Sequence, residues 1–148
     1  MLRELMTAWL ATAGYCILMN VPRRLFLPAT LGGMLGWGMY LLLKEQIGSV
    51  FYLLVLVGAI CAAWSELAAK WTKAPATIFL IPGLIPLVPG GYAYNTMLAL
   101  VQSDFARMRS YALLTAKWAG GLAAGISLVA VVHQLVYRPR KKAENTGR

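Results

Sequence analysis

The sequence predicts an all-α integral membrane protein of about five transmembrane helices, the fourth broken by a Pro/Gly motif. Hydrophobic residues make up 59% of the 148, charged residues only 13%, and the mean hydropathy is +0.64; soluble domains carry about 25% charged residues. The basic residues stand in short clusters between apolar runs, which is the pattern of topology signals. From 75 to 101 no charged residue occurs, yet that stretch carries Pro75, Pro82, Pro86 and Pro89 with Gly83, Gly90 and Gly91. No continuous helix runs through such a sequence.

The first apolar run covers about 5–21. Arg3 before it and Ala11-Thr12-Ala13 within it resemble a cleavable leader, but Glu4 lies in the charged region and the run continues to Val21. Tyr15 is also too large to precede a lipid-modified cysteine at Cys16, so the segment is expected to be a retained helix. Asn20-Val21-Pro22-Arg23-Arg24 ends it, with the proline as stop and the arginines as interfacial anchors. The second run, about 27–43, is diluted by Gly32, Gly33, Gly36 and Gly38; Gly32-x-x-x-Gly36 is a small-residue face that lets another helix approach. Lys44-Glu45-Gln46 is a polar turn, and the third run follows over about 47–67.

The fourth segment is the broken one: a half-helix over 76–85, a break over 86–91, and a second half over 92–101. Each internal proline removes an amide donor, so Pro86 and Pro89 strand the carbonyls of Pro82 and Ile85. Unpaired backbone survives at membrane depth only where it is buried in protein or lines a wet cavity. A polar connection over 102–110 leads to the fifth run, about 111–137, in which Gly121-x-x-x-Gly125 offers a second close-packing face. Residues 1–137 form the predicted transmembrane bundle; 138–148 form a basic tail with no core-forming residues, expected to be disordered.

Five crossings place Arg23, Arg24, Lys70, Lys73, Arg138, Arg140, Lys141, Lys142 and Arg148 on one side, and Arg3, Lys44, Arg107 and Arg109 on the other. The richer side is expected to be cytoplasmic, which puts the N-terminus outside and the C-terminus inside. A re-entrant fourth segment leaves almost no bias, so the charges favour a crossing. The net charge of +9 forms no stripe on a soluble face, and no nucleic-acid partner is expected. Cys16, Cys61 and His133 have neither zinc spacing nor a disulfide framework, so no metal or cofactor is expected. Nor does any nucleophile, base and oxyanion set point to an enzyme.

Lys73-x-Pro75-Ala76-Thr77-Ile78-Phe79, followed by Ile85-Pro86-Leu87-Val88-Pro89-Gly90-Gly91 and Tyr94, resembles the threonine/serine exporter family (ThrE type). Within it the closer likeness is to the small subunit of the split, two-component form (YjjB-like). Asn20-Val21-Pro22, Gly33-x-x-Gly36-Trp37 and Ser65-Glu66-x-x-Ala69 match in order, so the resemblance spans about 21–94. Tyr92 stands where many relatives carry a third glycine. The resemblance implies export of small hydroxy-amino acids, or in some members a C4-dicarboxylate such as succinate. It also implies a proton gradient as driving force, a larger transmembrane subunit as partner, and the cell (inner) membrane as location.

A half-helix starting near Gly91 points unpaired amides and a positive dipole end at the break, which suits a carboxylate. The freed carbonyls suit an ammonium group. Pro86, Pro89, Gly90, Gly91, Tyr94 and Asn95 are therefore the candidate solute-binding residues; the competing reading is a packed kink without solute. Asn95 either joins helices or contacts solute. Glu66, four residues before Lys70, is either an interfacial ion pair or the proton-coupling group. Lys117 is placed to snorkel outward, and His133 to lie at the interface. A non-transporting scaffold or assembly subunit is the alternative function; it offers no reason for a broken helix.

Overall fold

The computed structural model describes residues 2–137, and the basic tail at 138–148 lies outside them. Six α-helices follow in order: α1 Leu2–Leu18, α2 Arg23–Leu43, α3 Val50–Thr72, α4 Thr77–Leu84, α5 Gly90–Val101 and α6 Phe105–Tyr137, with a 3-10 turn at Ile85–Leu87. No strand occurs among the described residues. α2, α3 and α6 are each long and apolar enough to cross a membrane, and α4 with α5 makes a fourth span if the bent pair counts as one. The 17 residues of α1 reach only about 25 Å, short of the roughly 30 Å hydrocarbon core.

Helix ends follow local chemistry. α1 stops where Asn20 takes a left-handed conformation (φ 51°), and the Val21 amide returns to the Cys16 carbonyl. α3 runs five residues past its expected end and closes on left-handed Lys73 (φ 54°), with Pro75 beyond it. α6 begins six residues earlier than expected. Asp104 caps it, its carboxylate accepting the Arg107 amide at 3.1 Å and pairing with the Arg107 side chain at 3.2 Å; a side-chain acceptor at this position satisfies a first-turn amide.

The relative directions of the helices determine the topology. Thr12 of α1 lies against Gly33 and Leu5 against Gly38, so α1 and α2 are antiparallel. Gly32 meets Trp64 and Gly36 meets Cys61, so α3 returns antiparallel to α2. The Trp64 indole also donates to the Pro28 carbonyl at 3.1 Å. On α6, Gly121 touches Phe51, Gly125 touches Val55 and Ala59, and His133 reaches Glu66. The register climbs together, so α3 and α6 are parallel. The chain leaving α3 must therefore travel back through the whole depth of the bundle before α6 begins, and the α4–α5 pair makes that return. The pair is a traversing segment, as the charge count favours, and not a re-entrant loop.

The core lies in two clusters. Leu53, Leu54, Val57, Cys61, Leu87, Trp118 and Leu122 join α3, the 3-10 turn and α6. Cys16, Leu25, Ala29, Ala68 and Phe79 join α1 through α4. Both cysteines are free and buried.

Candidate functional site

The break is tighter than the sequence implies. Only Val88 and Pro89 stand between the 3-10 turn and α5, and the two helical pieces are bent by 54°. The second half starts at Gly90, two residues earlier than the expected 92. Pro89 occupies the N-cap of α5 and Pro86 lies within the 3-10 turn, positions where a missing amide is tolerated.

The carbonyl side of the break also departs from expectation. The carbonyls of Pro82 and Ile85 are not stranded: Pro82 accepts from the Ile85 amide, and Ile85 accepts from the Val88 amide at 3.4 Å. Bonds from three residues on replace the missing bonds from four residues on, which is how a tightened last turn satisfies its carbonyls. The amide side of the site remains. Gly90 donates to the Val88 carbonyl at 2.8 Å, and the first intrahelical bond of α5 runs from Ala93 to Pro89 at 3.0 Å. The amides of Gly91 and Tyr92 thus lie in the first turn, where no acceptor exists four residues earlier.

Against this turn lies a groove of about 240 Å³ lined by Trp37, Pro86, Val88, Pro89, Gly91, Tyr92, Asn95 and Trp118. Of the candidate solute-binding residues, Pro86, Pro89, Gly91 and Asn95 share it. Gly90 and Tyr94 are outside the lining, and Tyr94 is 66% exposed. The Thr96 hydroxyl donates to the Tyr92 carbonyl at 2.8 Å, so it serves its own helix. Among the described residues no hydrogen bond reaches the Asn95 carboxamide. No charged side chain lines the groove.

Trp37, Tyr92 and Trp118 are the aromatic residues of the wall, and Tyr40 joins them outside the lining. Trp118 packs tilted on Tyr40 and on Tyr92, with ring centroids 5.3 and 5.7 Å apart, and Trp37 packs on Tyr40 at 5.1 Å. This stack joins α2, α5 and α6. Trp118 lies in none of the recognised motifs, and only the register between helices reveals its place. Trp37 is four residues past the midpoint of α2 and seven before Lys44, roughly 6 and 10 Å along the helix, so the groove sits on the Lys44 side of the bundle's middle. Lys117, beside Trp118, falls at that same end, exposed.

Glu66 belongs to a different place. It faces a groove of about 360 Å³ between α3 and α6, lined by Ala63, Glu66, Leu67, Lys70, Val129, Val132, His133 and Val136. Its carboxylate pairs with His133 Nε2 at 3.3 Å, both side chains about one-third exposed. Cys61, which lies with Leu87 against Gly36, is five residues before Glu66, roughly 7.5 Å along α3, and the two grooves share no lining residue.

A multi-pass helical bundle with one interrupted, traversing helix and a groove at the interruption defines a polytopic membrane protein built like a solute carrier. The family model described as "Threonine/Serine exporter, ThrE" matches residues 4–132, and the chain belongs to that family. No solved structure matches it.

Proposed function

We propose that this chain is the smaller of two membrane subunits of a secondary exporter for threonine- or serine-like amino acids or a C4-dicarboxylate, driven by the proton gradient. The observation that carries this reading is the α5 start. The first-turn amides of Gly91 and Tyr92 and the Asn95 carboxamide stand around one uncharged groove, and a helix N-terminus favours a carboxylate. A carboxylate is what threonine, serine and succinate share. With the Pro82 and Ile85 carbonyls occupied, recognition of an ammonium group falls to the partner subunit. The exposed apolar side chains Leu2, Met6, Leu10 and Ile17 of α1, with Met97 and Val101 of α5, favour such a partner. The N-terminus lies outside and the C-terminus in the cytoplasm, following the basic side.

Proteoliposomes holding both subunits, preloaded with labelled threonine or succinate, test this. Efflux is expected only when both subunits are present. Efflux from vesicles with this chain alone would refute the two-component arrangement. Absence of efflux of either solute from the complete pair would refute the exporter reading.

A further inference from the structure

We infer that Glu66 and His133 form one proton-binding clasp between α3 and α6, and that this clasp is the coupling element of the exporter. The inference rests on the proposed function and extends it from a solute groove to the step that powers it.

The geometry is specific. The parallel register of α3 and α6 brings a carboxylate and an imidazole to 3.3 Å, each about one-third exposed, in an open groove between the two helices. The flanking lining is otherwise Ala63, Leu67, Val129, Val132 and Val136, with Lys70 as the other charged group. α4 has no titratable residue; Arg23 and Arg24 in the first turn of α2 lie outside this lining. Imidazole is the side chain that changes charge in the physiological pH range. With the proton on Nε2, the imidazolium donates to the Glu66 carboxylate, and the pair is neutral and closed. On release the proton passes to solvent, leaving a neutral imidazole beside the Glu66 carboxylate. The charge holding α6 to α3 is then lost at this end of the bundle. One proton is bound and released, and no other reactant is needed.

The test uses the complete two-subunit exporter in liposomes, with Glu66→Gln and His133→Gln. Two modes are measured: exchange of labelled solute at equal concentrations across the membrane, and accumulation driven by a pH gradient. Retained exchange with lost accumulation in both variants is the expected result. Accumulation that persists in both overturns the clasp and leaves the exporter reading intact. Loss of exchange together with accumulation makes the pair structural and overturns it as well. A second measurement needs no transport. His133 is the sole histidine, so imidazole nitrogen NMR of the full chain, purified on a histidine-free tag, reports it alone. The Nε2 resonance is expected to move on Glu66→Gln and to stay put on Glu45→Gln. A resonance indifferent to Glu66 shows that the pair does not form. If the unmodified complex carries no solute, the exporter reading fails, and this resonance still decides the clasp.

Discussion

A methyl group added to Gly121 would lie 2.8 Å from the carbonyl oxygen of Phe51; α6 and α3 meet backbone to backbone at that level. Neither side of such a contact can rotate away. Gly121→Ala must therefore push the helices apart, and overpacking of this kind costs about 1–3 kcal/mol. Gly14 in α1 has nothing within 4 Å of an added methyl. Gly14→Ala is expected to stabilise slightly, by about 0.5–1 kcal/mol, because glycine is the poorer helix former. Unfolding of the two variants in mixed micelles should show opposite signs. Equal stability of Gly121→Ala and the unmodified chain would mean that the parallel contact is looser than described.

Replacing Pro86 and Pro89 together by alanine restores two amide donors. Pro82 and Ile85 could then accept ordinary helical bonds in place of the 3-10 turn. The 54° bend should straighten and the groove beneath α5 should disperse. Transport is expected to fall by an order of magnitude, with membrane insertion and association with the proposed partner preserved. Export at the unmodified rate would reduce the break to a packing kink.

Asn95 and Tyr94 are neighbours in sequence with different surroundings. Asn95→Leu removes the one carboxamide in the groove, and solute efflux should weaken severely. Tyr94→Leu alters a ring outside the lining and should leave efflux unchanged in liposomes. The reverse ranking would move the solute contact to the exposed face of α5.

Reporter fusions at Arg148 test orientation. A cytoplasmic reporter should be active there and a periplasmic one silent, with the opposite result for fusions before Arg3. Both ends reporting from the same side would contradict the alternating directions of α1, α2, α3, the α4–α5 pair and α6.

Much of the architecture was legible because membrane physics constrains sequence harshly. The apolar runs, the stop at Pro22 and the interruption near Pro86 follow from hydropathy and the missing proline donor. The charge count favoured a crossing fourth segment, and the parallel register of α3 and α6 is the geometry that a crossing requires. Helix ends were less legible, because Asp104 reads as loop chemistry until its carboxylate is seen to cap α6. The Pro82 and Ile85 carbonyls depart from the sequence expectation. Proline removes one bond, but a 3-10 turn can supply another, and sequence does not say which occurs. The site was partly legible for a similar reason. Gly91 and Asn95 are local to the break, whereas Trp37 and Trp118 reach it only through tertiary register. Likewise the pairing of Glu66 with His133 bridges two segments that no spacing rule connects; Lys70, four residues on, is the partner that local periodicity suggests.

Among the helices, α5 packs along α6 alone. Its other attachment is the two-residue hinge at Val88 and Pro89. α6, with 33 residues, is a rod of about 50 Å, seated on α3 at Gly121 and Gly125 as on a fulcrum. His133 lies on one arm of that seesaw, and Trp118 with the whole of α5 on the other. Any tilt that lifts the His133 arm from Glu66 swings the Trp118 arm the opposite way, carrying Tyr92 and Asn95 past the stationary Trp37 of α2.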